Sequence, residues 1–227
     1  MEVLEAIRKR TSIRAFRSDE IPKQVFMDIL DTATRAASGV NLQPWEFFVV
    51  RGQALKDLKR ANLESHRLGK PPCPEIPVGA LKGVAPALEG VYRERQVELA
   101  KQIFQILHIS REDKKKQQDW NEQMVQFYDA PAVIVIVMDK MLQGAWPILD
   151  IGCVTQNLAL VAQGYGLGTC IMRAIVDHPE QLRSIVGIPD SKQIVVGVAL
   201  GYPDWDHPIN QLRTNRERLE RIVTFVG

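Results

Sequence analysis

Two short stretches hold the residues best suited to chemistry. The first is Arg10-Thr11-Ser12-Ile13-Arg14. In an extended segment, residues two apart point the same way, so Arg10, Ser12 and Arg14 can converge on one anion. Guanidinium forks with a hydroxyl between them suit a phosphate monoester; the plain alternative is a solvated basic surface. The second stretch, Ala36 to Trp45, carries no charge. It offers small residues, the Ser38 hydroxyl, the Asn41 and Gln43 carboxamides and the flexible Gly39, closed by Pro44-Trp45. Amides present donors and acceptors together, and small residues let the backbone approach closely, so this segment suits a flat, neutral heterocycle. Its plain alternative is a polar turn that opens a strand.

Acid–base machinery is hard to find beside these stretches. His66, His108, His178 and His207 share no metal-ligand spacing. The nucleophile elbow Gly-x-Ser-x-Gly and the phosphate loop Gly-x-x-x-x-Gly-Lys are both absent. Gly164-Tyr165-Gly166-Leu167-Gly168 has dinucleotide-like glycine spacing, yet it ends a helix and leads into a strand, the reverse of a Rossmann turn. A phosphate site and a heterocycle site without a catalytic acid or base point to a cofactor that carries the chemistry. A second basic cluster, Arg213, Arg216, Arg218 and Arg221, lies near the far end of the chain.

Composition narrows the classes. With 227 residues, 45% hydrophobic and 25% charged, the chain is an ordinary globular protein of one large domain. A formal charge of +2, without basic tracts interleaved with aromatics, argues against nucleic acid. Cys73, Cys153 and Cys170 form neither a disulfide framework nor a metal motif, so a reducing cytosol is expected. The N-terminus lacks a signal-peptide core, and the most apolar run, Ile148 to Val161, is too short and polar to span a membrane.

Elements that position these stretches follow from periodicity. Helices are expected at 2–9, from Pro22 to about Ala36, from Gln53 to about Leu63, at 87–108, at 111–127 and at 146–164. Another helix is expected after Asp177, with Asp177 as N-cap and Glu180 three residues on. Ser110-Arg111-Glu112-Asp113 resembles a capping box with a shortened acid. Strands are expected at about 45–50, Ala132–Met138, Leu167–Met172 and Ile194–Leu200, the second and last being buried on both faces. Residues 69–86 form a proline- and glycine-rich loop. With the two charged helices after it (about 69–127), this loop reads as a lid inserted into a single domain spanning 1–227.

Four motifs in order carry a resemblance. They are Arg10-x-Ser12-x-Arg14-x-Phe16, Ser38-Gly39-x-Asn41-x-Gln43-Pro44-Trp45, Gly166-Leu167-Gly168-Thr169-Cys170 and Gly197-x-Ala199-x-Gly201-Tyr202-Pro203. Together they resemble the signature of the FMN-dependent nitroreductase family. Arg111-Glu112-Asp113 and Tyr128-Asp129-Ala130-Pro131 are most similar to its nitroaromatic-reducing branch. The resemblance implies an α+β, three-layer fold in which helices flank a central mixed sheet. It also implies an intertwined homodimer with two FMN molecules at the interface. Carried onto this chain, Arg10, Thr11, Ser12 and Arg14 hold the phosphate and ribityl chain, and Arg216 completes the clamp. Ser38, Gly39 and Asn41 touch the isoalloxazine from the partner subunit, while Ile171, Met172 and Arg173 lie along the flavin edge. Arg173 stands where relatives often have a threonine or an acid, so a backbone N–H is expected to face N5.

The implied activity is reduction of nitroaromatic or quinone-like acceptors with NADH or NADPH. Hydride passes to flavin N5 and onward in ping-pong order, and no side chain acts as a catalytic group. Reductive dehalogenation, flavin fragmentation and a non-catalytic FMN-binding redox protein remain as alternatives. Tyr92, Arg95, Phe104, Trp120 and Phe127 are candidate lid contacts, against the plain reading that an aromatic in an amphipathic helix belongs to the core. The apolar helix at 148–161 can be core, dimer interface or both.

Overall fold

The run Ala132–Asp139 is almost entirely β-branched and apolar, which requires a strand covered on both faces, and it forms the middle of the sheet. The computed structural model describes residues 2–76 and 88–227. Four strands, β1 (Glu46–Arg51), β2 (Ala132–Asp139), β3 (Gly168–Met172) and β4 (Lys192–Gly201), assemble in the order β1-β2-β4-β3. Every neighbouring pair is antiparallel. The expected mixture of strand directions is confined to one isolated parallel bridge, Ser12 beside Thr169.

Alternation along β2 divides the interior into two cores. Val133, Val135 and Val137 face one side, and Ala132, Ile134, Ile136 and Met138 face the other, as the period of two demands. On the second side lie α2 (Lys23–Ala33), through Phe26, Ile29 and Ala33, and α6 (Trp146–Gly164), through Ile151, Val154, Leu158 and Ala162. On the first side lie α3 (Gly52–Arg67), through Leu55 and Leu58, and α7 (Pro179–Val186), through Leu182. This side also takes Ile103 of α4 (Gly90–Ile106) and Trp120 of α5 (Lys114–Val125). The short α1 (Val3–Lys9) packs against α6 and leaves Val3, Leu4 and Ile7 exposed. Helices therefore cover both faces of the sheet, giving an α+β three-layer fold.

Two caps differ from expectation. The helix after Asp177 is capped at His178, because the Asp177 carboxylate pairs instead with Arg173 four residues earlier. Before α5, the Ser110 Oγ accepts the Asp113 N–H at 3.2 Å, but the helix begins one step later. Asp113 is its N-cap and accepts the Lys116 N–H at 2.9 Å. The proline-rich loop expected at 69–86 lies outside the described residues from 77 onward. Its earlier part is tied down where the Cys73 N–H donates to the Asp177 carbonyl at 2.8 Å and Glu75 pairs with Arg183 at 2.5 Å.

Candidate functional site

Close packing at three glycines holds the basic segment 10–14 against the sheet. The Ile13 N–H donates to the Thr169 carbonyl at 2.9 Å. A side chain at Gly168 would overlap Ile13 and approach Pro203 Cγ to 2.8 Å. One at Gly201 would come within 2.9 Å of Phe16 Cδ1, and one at Gly197 would overlap Ile175. The motif glycines are thus places where two backbones or a backbone and a core side chain meet.

Asn210 locks the segment from the other side, and sequence reasoning missed it. Only 1% exposed, its Oδ1 accepts the Arg14 N–H at 2.8 Å. Its Nδ2 donates to the Ala15 carbonyl at 2.8 Å and to that of Asp204 at 2.7 Å. A buried carboxamide whose bonds all go to backbone is a positioning group. No motif marks it; the one available signal was an amide following the Gly201-Tyr202-Pro203 turn.

Side chains of the segment separate as the extended geometry predicts. Thr11 and Ile13 border a cavity of about 420 Å³ shared with Arg8, Trp205 and Arg213, which Arg10 also reaches. Ser12 and Arg14 lie near the Cys170 thiol, and Arg14 lies near the Tyr128 hydroxyl. Burial pushes both Cys170 and Tyr128 up, which keeps both neutral, while Arg14 opposes the shift. Tyr128 belongs to the motif already singled out; here it sits under the basic segment, at 8% exposure.

Arg10 and Arg216, far apart in sequence, come together in space. Burial lowers the pKa of Arg10 first, and the positive charge of Arg216 lowers it further. Among the described residues, no ion pair involves Arg10, Arg14 or Arg216. Arg14 donates to the Ser12 carbonyl at 3.3 Å, and Arg216 donates to backbone and hydroxyl oxygens of Thr214 and Asn215. Like charges held together without a carboxylate make an anion site, and their five-donor forks match a phosphate. This donor set fits FMN, whose phosphate is such an anion.

The uncharged loop lies elsewhere on the chain. Val40, Asn41 and Gln43 have φ of 47°, 59° and 48°, left-handed values that cost non-glycine residues of order 1 kcal/mol each. Two bonds hold it: the Ser38 Oγ accepts the Gln43 N–H at 3.1 Å, and both carboxylate oxygens of Asp150 lie 3.2 Å from the Gly39 N–H. Asp150, on α6, is 4% exposed. An acid within an apolar helix was the signal for this second missed residue, because a buried charge needs a partner. The tip reaches into solvent, with Val40 99% exposed.

Of the proposed flavin-edge residues, Ile171 faces outward at 44% exposure and Met172 is in the core. The Arg173 side chain pairs with Asp177 and borders a separate cavity of about 130 Å³ with His66, Lys70 and His178. Two candidate lid contacts belong to the core: Trp120 stacks at 5.2 Å on Tyr128, and Phe127 is fully buried. Tyr92 is exposed, Phe104 packs against the core, and Arg95 pairs with Glu217 at 2.8 Å. No group of histidine, cysteine, aspartate or glutamate side chains among the described residues could hold a metal. No helix among them is long and apolar enough to cross a membrane.

Comparisons agree with this geometry. A nitrobenzene nitroreductase from Ectopseudomonas oleovorans is 32% identical over 226 residues, covering 98% of this chain and 96% of the relative. A chloronitrobenzene nitroreductase from Comamonas testosteroni is 30% identical over 230 residues, covering 98% and 96%. The crystal structure of the FMN-dependent nitroreductase NfnB from Mycobacterium smegmatis, in complex with NADPH, superposes with a TM-score of 0.88 at 25% identity, covering 100% of both chains. A profile of the nitroreductase family matches residues 7–202, which include all four motifs up to Tyr202. With its motif glycines explained by packing and its arginines gathered into an anion site, the chain belongs to the nitroreductase family.

Proposed function

We propose that this protein is an FMN-dependent NAD(P)H oxidoreductase that reduces nitroaromatic or quinone-like acceptors and works as a homodimer. The observation that carries the reading is the pairing of Arg10 with Arg216 without a carboxylate between them. The nitrobenzene- and chloronitrobenzene-reducing relatives and the NADPH-bound flavoenzyme support it. FMN, when bound, supplies a two-electron carrier between NAD(P)H and the acceptor.

The chain's own residues bind and orient. Arg10, Ser12, Arg14 and Arg216 hold the phosphate, with Thr11 beside them. Asn210 fixes the backbone from Arg14 to Ala15, so the guanidiniums are set before the ligand arrives. Ser38, Gly39 and Asn41 meet the ring through amide and hydroxyl groups. Ile171 offers an exposed apolar contact, and Met172 and Arg173 contribute backbone at the flavin edge. No side chain is assigned an acid, base or nucleophile role.

A dimer follows from how the half-sites are arranged. The loop at 38–43 is anchored to α6, on one side of the sheet, whereas Ser12 and Arg14 lie near Cys170, which belongs to the core on the other side. No hydrogen bond joins the loop to the basic segment among the described residues. A strained loop tip in solvent gains its contacts when a second copy brings its ring against it. Apolar side chains on α1, at Trp146 and Leu149, and at Leu219, Ile222 and Phe225 are exposed and suit the same interface. We read residues 1–227 as one domain with 69–127 as its lid, and three free thiols fit a cytoplasmic location.

Anaerobic mixing of the FMN-loaded protein with NADPH or NADH tests the function. Bleaching of the flavin absorbance, reversed by nitrobenzene, is expected. Bound flavin that neither donor bleaches would make this a non-catalytic flavin-binding protein.

A further inference from the structure

We propose that the cleft between α4 and the segment 214–221 binds the adenosine 2′-phosphate of NADPH, so the enzyme selects NADPH over NADH. The inference rests on the flavin-enzyme reading above and names the donor for that same site. The cleft has a volume of about 770 Å³, within the range of small-molecule sites. Arg93, Arg95 and Lys101 stand on its α4 wall, and Arg216 and Arg221 stand on the other.

Glu217 organises this charge. Its carboxylate accepts from Arg95 at 2.8 Å and from the Arg218 N–H at 3.0 Å, and it lies 3.4 Å from Arg221. The Glu217 side chain is 20% exposed, whereas Arg95 and Arg221 are 51% and 71% exposed. One sheltered acid therefore holds two guanidiniums at the mouth of the cleft, and each keeps further N–H donors for a ligand. Glu94 and Glu98 also line the cleft, which leaves five basic groups against three acids. Glu98 is engaged by the Gln102 amide at 3.0 Å.

Position decides which anion this is. The cleft includes Arg216, so it adjoins the phosphate clamp without being the clamp. A donor whose nicotinamide lies over the flavin must run its adenosine half away from the ring. NADPH carries a phosphate monoester there, and NADH carries a neutral hydroxyl. A monoester dianion can take two forks at once, which the hydroxyl cannot. Val91, Val97 and Leu99 supply apolar surface beside the charges.

Calorimetric titration of the FMN-loaded protein with 2′,5′-ADP and with 5′-AMP tests the site without turnover. We expect 2′,5′-ADP to bind at least about tenfold more tightly, the weight of one charge-assisted contact. Arg93→Ala and Arg221→Ala should each narrow that gap and lower the NADPH-to-NADH ratio of kcat/KM by about the same factor. Equal affinity for the two nucleotides, or variants that slow both donors alike, would overturn the proposal. If flavin is bound and both donors bleach it with equal efficiency, only this proposal fails. If flavin does not bind, the parent reading fails with it.

Discussion

Asn210→Ala should damage the site by loosening the chain beneath it. Three backbone groups bond to the Asn210 amide: the Arg14 N–H, the Ala15 carbonyl and the Asp204 carbonyl. The Ala15 carbonyl keeps a second donor, the Asp204 N–H at 3.1 Å, so the truncation strands two groups. Each buried group left unpaired costs about 1–3 kcal/mol. Both sit in partly exposed residues that water can reach, which favours the lower half of that range and a total of about 3 kcal/mol. With an m-value of about 2.5 kcal/mol/M, the urea midpoint falls by about 1.2 M. The assay is urea unfolding of the flavin-free protein at one fixed protomer concentration, so that neither ligand nor dimer linkage enters the comparison. Asn210→Asp should not rescue, because its carboxylate would face two carbonyl oxygens. FMN affinity should fall alongside stability, since Arg14 is attached to the freed backbone. A midpoint shift below about 0.2 M with FMN affinity intact would refute the reasoning that Asn210 sets the basic segment.

Three further outcomes are expected. Gly168→Ala forces Ile13 and Pro203 to move; the overpacking costs about 1–3 kcal/mol, and scanning calorimetry should show Tm lowered by several degrees together with weaker FMN binding. Asp150→Ala releases the Gly39 N–H and the strained loop, so FMN affinity measured by fluorescence quenching should drop about tenfold, with Asp150→Asn, which keeps an acceptor, falling less. Glu122 is held by Arg67 and Gln118, which lower its pKa from 4.5 to about 2. A depressed carboxylate pKa stabilises above the unfolded value and loses that contribution as pH falls through the folded value. The Tm gap between wild type and Glu122→Gln should therefore be widest above pH 4.5 and close toward pH 2, and a gap that does not change with pH would contradict the assignment.

What was legible in the sequence follows from the range of the forces involved. The apolar run of β2 and the helical stripes of α2 and α6 encode burial locally, so their positions were readable to within a few residues. Arg10, Ser12 and Arg14 were readable because alternation within an extended segment is also local. Their union with Arg216 depends on how the tail returns across the sheet, and only the family resemblance supplied it. Asn210 and Asp150 act on backbone groups far away in sequence, at positions 14–15 and 39, and no periodicity records such a bond. Competition between partners explains the misplaced cap: Asp177 had a helix N-terminus available, and the Arg173 guanidinium took its carboxylate. Trp120 and Phe127 show that an aromatic on a charged helix follows the core when a sheet face lies beneath it.

The central claim is that Arg10 and Arg216 form a clamp for the phosphate of FMN. Equilibrium titration of the flavin-free protein with FMN and with riboflavin, which lacks that phosphate, tests it most directly. FMN should bind at least about a hundredfold more tightly than riboflavin, the weight of two charge-assisted contacts, and Arg216→Ala should remove most of that difference while leaving riboflavin affinity in place. Equal affinity for the two flavins, or an Arg216→Ala variant that keeps the full preference for FMN, would contradict it.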